Sequence, residues 1–175
     1  MVKKIINNGF GPKVLSYFNK GRIEEWIESN QILDSRNIKG NFIINVANKL
    51  RLFHDKINMN HNDLSLTNIL IKESSIVFIN FEYVDKKNIY FDIANFFCEF
   101  IYNYNSSEWY IFDINLFPSK CFIKLFCKHY FNTNDNEIIN NHISNILLKI
   151  PEVHKYRIMW SKKFNNLDYK IYGIS

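Results

Sequence analysis

No stretch of this 175-residue chain is long and apolar enough to span a membrane, and Met1-Val2-Lys3-Lys4 is followed by no apolar signal core. Cysteine is scarce: Cys98, Cys121 and Cys127 make an odd set without C-x-x-C spacing, two of them on predicted helices, which favours buried free thiols. Together these absences predict a reduced, cytoplasmic location. A basic stripe is missing as well. The net charge of +5 comes from scattered lysines, so nucleic acid is not an expected partner. There is no internal repeat, and the excess of Asn, Ile and Lys runs the whole length as a bias, not as a low-complexity segment.

What is present is enough for one folded domain. Hydrophobic residues at 47%, with 17% aromatic, exclude a disordered chain and can fill a real core. The most informative stretch runs from His61 to Glu99. Asp63 and Asn68 stand five positions apart in a segment with no helical apolar period, which reads as a loop. Ile76-Val77-Phe78-Ile79 then reads as a strand that delivers Asn80, Glu82 and Tyr83 just past its end. One meaning of this order is phosphoryl transfer, which needs a carboxylate to take the acceptor hydroxyl's proton, a nearby amide oxygen for a metal ion and a further oxygen ligand after the next strand. The other is an Asx-rich turn between strands, since Asn and Asp hydrogen-bond their own backbone.

The longer pattern carries a resemblance. HNDLSLTNIL, followed by IVFINFEYVDKKNIYFDIANFFCEF, resembles the paired signature of choline and ethanolamine kinases, and the chain is identified as a truncated, partly degenerate member of that family. The resemblance implies an α+β, protein-kinase-like fold: a remnant β-hairpin and hinge of the small lobe over residues 1–30, and a mostly helical large lobe over 31–175. It implies ATP-dependent phosphorylation of choline or ethanolamine in phospholipid biosynthesis, with Asp63 as catalytic base, Asn68 and Asn80 as Mg²⁺ ligands, and His61 and Asp92 as supports. Asp92 is equally placed to cap a helix. Tyr83, Glu99, Tyr104, Trp160 and Tyr169 are the family-implied cation pocket, since aromatic faces with a carboxylate bind cations well. Each of these aromatics is also a plausible core residue. An aminoglycoside-phosphotransferase type of kinase would share H-x-D-x-x-x-x-N but not F-E-Y followed by F-D-I-A-N.

The rest of the chain is consistent with that frame. Residues 1–12 hold few apolar positions and end in Gly9-Phe10-Gly11-Pro12, a turn signal. Lys13 to Phe18, Asn19-Lys20-Gly21 and Arg22 to Ile27 read as strand, turn and strand. GFGPKVLSYFNKGRIEEWI resembles the family's last small-lobe strands and hinge, which places Glu25, Trp26 and Ile27 against the adenine. Apolar residues at 43, 46, 47, 50 and 53 predict an amphipathic helix ending at His54, a cation beside its terminal carbonyls. A helix is expected from Ile89, another from Ser119 through Tyr130 with Phe122, Leu125, Phe126 and His129 inward, and another from Asp135 to Ile150 with Ile138, Ile139, Ile143, Ile146 and Leu147 inward. Pro151 fits a break or the first turn of a last helix.

Four departures from the family pattern stand out. There is no counterpart to the glycine-rich phosphate loop or its lysine. Only Asp55 to Asn60 separate His54 from His61 where the family inserts a helical region, which leaves a core face for other side chains, a second copy or a partner to cover. Asn80 replaces an acidic metal ligand, and hard Mg²⁺ prefers carboxylates. Arg157 replaces the first tryptophan of a W-x-x-W pair, and a guanidinium at a cation-binding wall would repel its ligand. A catalytically impaired pseudokinase, acting as a binding or scaffold protein, is the alternative these changes raise.

Overall fold

The computed structural model describes residues 1–32, 34–73, 75–108 and 111–163, and its architecture is α+β, rich in helix with two separate two-stranded sheets. Trp109, Tyr110, Leu167, Asp168 and Tyr169 lie outside the described residues. The chain opens with a helix, α1 (Val2–Asn7), where little more than a turn was expected. Six residues are too few to show a helical period. Burial explains why it forms, since Ile5 is fully buried in the main core and Lys4 Nζ donates to Ile57 O at 3.1 Å. Gly11 follows at a close approach: a Cβ there would lie 2.6 Å from the Phe81 ring.

β1 (Val14–Phe18) and β2 (Gly21–Glu24) form the expected hairpin, in the register Phe18 opposite Gly21. β2 ends three residues before the predicted Ile27. Glu25 N still donates to Lys13 O at 2.8 Å, but the strand opposite has run out. Leu15, Tyr17, Phe18 and Ile23 are all more than half exposed, so the hairpin itself builds almost no core.

α2 (Gly40–Ile57) places Ile43, Val46, Ala47, Leu50 and Phe53 on one face, each fully buried, and ends at Asn58 in the left-handed conformation that Asn tolerates. A second hairpin joins β3 (Ile69–Lys72) to β4 (Ser75–Phe78) with Ile69 opposite Phe78. β3 was not expected. Its three apolar residues follow an Asn-rich loop without alternation, and only pairing with β4 reveals them as a strand. Asn30 and Ile71 exchange backbone hydrogen bonds of 3.0 and 2.8 Å, which ties the segment after β2 to β3.

Four α-helices follow among the described residues: α3 (Ile89–Cys98), capped by Asn88; α4 (Lys120–Tyr130), capped by Ser119; α5 (Asn136–Leu147), capped by Asp135; and α6 (Ile150–Lys163), with Pro151 in its first turn. α4 packs along α2, so α2 is covered from within the chain across the shortened connection. The buried face of α4 is Ile123, Phe126, Cys127 and Tyr130, rotated from the predicted Phe122, Leu125 and His129. Both stripes are apolar, and α2 selects the one with the larger inward ring, Tyr130. On α5, Ile139, Ile143 and Ile146 are buried but Ile138 and Leu147 are largely exposed, because only one side of this helix meets α3 and α4. Cys98 and Cys127 are buried, while Cys121 is exposed on the outer side of α4, contrary to expectation.

Candidate active site

The loop between α2 and β3 is held by one buried carboxylate. Asp92, in the first turn of α3, does not cap its helix; Asn88 does that by accepting from Tyr90 N. Instead Asp92 Oδ2 accepts from His61 N at 2.7 Å and from His54 Nε2 at 2.9 Å, and Oδ1 accepts from Asn62 N at 2.9 Å. Burial alone would raise its pKa, but the hydrogen bond and charge of His54, with the His61 contacts, hold it below the usual carboxylate value. His54 is therefore no exposed helix-end cation. It is buried, its Nδ1 shares a hydrogen bond of 2.5 Å with the Tyr130 hydroxyl, and it links α2, α3 and α4. His61 Nε2 donates to Ile79 O at 2.9 Å, fixing the loop to the end of β4, and burial lowers the pKa of this imidazole. Asn62, at φ 63°, donates to Tyr83 O at 2.9 Å.

That scaffold brings Asp63, Asn68 and Asn80 to one hollow. Asn68 Nδ2 donates to Asp63 O at 2.8 Å and to Asp63 Oδ2 at 3.0 Å, which leaves Asn68 Oδ1 facing the other way. There it accepts from Asn80 Nδ2 at 2.7 Å. Asn80 sits at φ 59°, a conformation that favours Asn, two residues after the end of β4. The Asp63 carboxyl is pushed up to about 7, first by burial and then by Glu99, against the opposing pull of Arg157 and the Asn68 hydrogen bond. A carboxylate tuned to that value suits a general base.

The hollow is a cavity of about 560 Å³. Asp63, Asn68 and Asn80 lie on one side, and Tyr83, Tyr104, Tyr156 and Trp160 supply aromatic walls. Trp160 Nε1 donates to the Tyr83 hydroxyl at 2.7 Å. Glu99 reaches the same cavity from the end of α3, and so does Arg157 from α6. The two form a buried ion pair, with Arg157 Nη2 also donating to Asn95 Oδ1 at 2.9 Å and the Tyr104 hydroxyl donating to the other Glu99 oxygen. Asn95 and Tyr156 were not among the predicted site residues, whereas Arg157, expected beside the pocket as a repelling charge, lines it as the partner of Glu99. Asn95 and Glu99 carried a readable signal, being four apart on one helical face.

A second cavity, of about 850 Å³, opens between the first hairpin and β3, and it shares Asn80 and Glu82 with the first. Glu25, Trp26 and Ile27 all line it. Ile27 is buried, Glu25 Oε1 accepts from Lys13 N at 2.9 Å, and the Trp26 side chain is 90% exposed and forms no closed wall. The cleft is acidic: Glu24, Glu25, Glu28 and Glu82 face one arginine, Arg22, which is paired with Glu24 at 2.6 Å.

The family model for choline/ethanolamine kinase matches residues 45–164, the span that holds every element of the first cavity. The chain belongs to the choline/ethanolamine kinase family. Probable choline kinase 3 of Arabidopsis thaliana is 26% identical over 210 residues, covering 88% of this chain and 60% of that protein. A choline/ethanolamine kinase of Rattus norvegicus is 32% identical over 77 residues, 40% of this chain and 20% of that one. Among solved structures, an ethanolamine kinase of Plasmodium vivax superposes with a TM-score of 0.81 at 22% identity, over 98% of this chain and 67% of its own. A choline kinase of Cryptosporidium parvum gives 0.80 at 17%, over 96% and 73%. The fold is thus the kinase-like fold of this family, and the chain spans 60% and 57% of the length of two Arabidopsis relatives.

For a choline/ethanolamine kinase family member, the arrangement at Asn68 and Asn80 is unexpected. The two amides offer no carboxylate, and Asn68 Oδ1 already accepts from Asn80. Among the described residues, no group of three His, Cys, Asp or Glu side chains could hold an ion. As arranged, the pair does not fit Mg²⁺, because a hard cation needs free oxygen ligands where Asn80 presents an N–H donor. No helix among the described residues is long and apolar enough to cross a membrane.

Proposed function

We propose that this chain transfers a phosphoryl group from ATP to the hydroxyl of a small alcohol bound in the Asp63 cavity. Choline and ethanolamine, precursors of phospholipid headgroups, are the acceptors to which family membership points. The observation that carries the reading is Asp63 itself: a carboxylate in an aromatic-walled cavity, poised near 7 and held by a loop whose backbone is pinned by Asp92. In the transfer, Asp63 accepts the hydroxyl proton as the alcohol oxygen attacks the γ-phosphorus and the bond to the leaving diphosphate breaks. Asn68 orients the carboxylate through its Nδ2–H, and the aromatic walls hold the alcohol with its hydroxyl towards Asp63. Glu25 to Ile27 offer the hinge for the base of the nucleotide. No step passes through a metal ion, for which the residues present do not supply a fitting set.

A specific observation favours a second reading. With Asn80 donating to Asn68 Oδ1 and four glutamates in the adjoining cleft, a triphosphate meets little positive charge. A catalytically impaired protein that binds a small alcohol without phosphorylating it would look the same. Transfer of labelled phosphate from ATP to a panel of small alcohols, choline and ethanolamine included, separates the two. Product formation that disappears in Asp63→Asn supports the enzyme; absence of product with every acceptor supports the binding protein.

A further inference from the structure

α6 presents two aromatic rings to the first cavity, Tyr156 and Trp160, one helical turn apart on the same side. Trp160 is fixed by the hydrogen bond from its Nε1 to the Tyr83 hydroxyl. Tyr156 is fixed differently. Its ring meets Phe91 of α3 edge to face, with centroids 5.8 Å apart at 87°, and Lys87 Nζ lies 3.8 Å from its centre. The same ammonium lies 4.1 Å from the centre of the Phe91 ring, so one lysine is held against a ring of α3 and a ring of α6. Tyr83 and Asp63 add to burial in raising the pKa of the Tyr156 hydroxyl, which puts that hydroxyl within electrostatic reach of the base.

Lys87 starts from a backbone tied to the loop that carries Asp63. Asn60 and Asp85 exchange backbone hydrogen bonds of 2.9 and 3.3 Å, and Asn60 Nδ2 donates to Asn88 O at 3.1 Å. Among the described residues that line the cavity, Tyr156 is present and Lys87 and Phe91 are not, so the lysine braces the ring from outside. A cation partly withdrawn from water binds an aromatic face more strongly than one in bulk solvent. Burial lowers the pKa of the Lys87 ammonium, against the pull of Glu152, Asp85 and Asp92, and these three carboxylates also offset its field. The cavity itself sets Asp63, Glu82 and Glu99 against the one charge of Arg157, so a cationic alcohol still meets an excess of negative charge.

We propose that Lys87 is a positioning residue for the acceptor: by stacking on Tyr156 it fixes the ring that, with Trp160, holds the alcohol beside Asp63. The proposal rests on reading the cavity as the acceptor site. Its test is the affinity of the full chain for choline and for ethanolamine, measured by titration calorimetry without nucleotide and, where transfer occurs, as KM. Lys87→Met keeps the stem, removes the cation and should weaken binding of the preferred alcohol by about three- to tenfold, with most of any loss of transfer in KM and not in kcat. Lys87→Gln should do the same, and Lys87→Arg, whose cation can still stack, should recover most of the lost affinity. Tyr156→Leu should weaken binding at least as much as Lys87→Met. Adding Lys87→Met to Tyr156→Leu should then change affinity by less than about twofold, because the lysine acts only through the ring. Unchanged affinity in Lys87→Met overturns the proposal, and so does tighter binding, which would mean that the charge acts on the ligand directly. An equal loss with and without the Tyr156 ring also overturns it, since Lys87 would then act on the fold as a whole. Failure of the wild type to bind either alcohol at millimolar concentration overturns both the proposal and the acceptor reading. Binding without phosphoryl transfer counts against the enzyme alone, and the calorimetric comparison still decides for or against Lys87.

Discussion

Replacing Asp63 with Asn should make the protein more stable above neutral pH while removing the proposed transfer activity. The carboxyl sits near 7 in the folded state against 3.8 for the free side chain, chiefly because it is buried. A carboxyl raised in this way binds a proton more tightly folded than unfolded. Its contribution to stability is complete below the unfolded value, is lost progressively as pH rises from there through about 7, and beyond that becomes the constant cost of a buried charge. At about 1.4 kcal/mol for each pH unit, the interval caps that cost at about 4 kcal/mol, and partial access to solvent lowers the expected figure to about 2–3 kcal/mol. The substituted amide would keep the shape of the carboxyl and could still accept from Asn68 Nδ2 through its own oxygen.

Urea unfolding of both proteins near pH 5 and near pH 8 measures the effect. The advantage of Asp63→Asn should grow by about 2 kcal/mol between the two conditions, and phosphoryl transfer should fall by about 10²- to 10⁴-fold, the usual worth of a general base. An advantage equal at both pH values, or a variant less stable than the wild type near pH 8, would refute the claim that burial tunes this carboxyl. If transfer survived the substitution, Asp63 would not be the base even with the stability change as expected.

For the wild type, kcat/KM should rise with pH through about 7 as Asp63 loses its proton, and a profile flat from about 6 to 8 would remove it as the base. Asn80→Asp replaces an amide that donates to Asn68 Oδ1 with a carboxylate that cannot; it should lower stability alone by about 1 kcal/mol and create an Mg²⁺-dependent rise in Tm absent from the wild type. An Mg²⁺ response already present in the wild type would contradict the misfit of Asn68 and Asn80. Asp92→Ala removes the acceptor of His54, His61 and Asn62 and should cost about 3–5 kcal/mol in denaturant unfolding; because its pKa is held low, the Asp92 contribution should persist to acid pH and fade only as pH drops through that lowered value. Gly11→Ala should cost about 1–3 kcal/mol, read as a fall in Tm, since its Cβ would press on a Phe81 ring that already stacks on Phe53.

Long periodic elements were legible from the sequence because their signal is local. α2 shows five inward positions at helical spacing, and the caps Ser119 and Asp135 announce α4 and α5. Short elements were not. α1 and β3 exist because Ile5 and the run Ile69 to Ile71 find partners elsewhere, and four to six residues hold too little pattern to say so. The inward face of α4 was misjudged for a related reason: two apolar stripes compete on that helix, and the Tyr130 hydroxyl at His54 Nδ1 settles which faces α2, a contact no window of sequence contains.

The site divides along the same line. Asp63, Asn68 and Asn80 could be drawn to one place because a loop and a neighbouring strand end carry them within 18 positions, but what their side chains do to one another could not be read from letters. Asn80 looks like a weakened ligand in the sequence; folded, its amide points at the very oxygen a metal would use. Arg157 looks like a repulsive intrusion, yet 58 positions from Glu99 it becomes that residue's partner through the packing of α6 on α3. In both cases the folded chain supplies the partner from within, Asn80 Nδ2 for Asn68 Oδ1 and the Arg157 guanidinium for Glu99. The two contacts are thus alike in physical kind, each meeting an acceptor oxygen with an N–H donor from a distant part of the chain, and both lie in the lining of the cavity that holds Asp63.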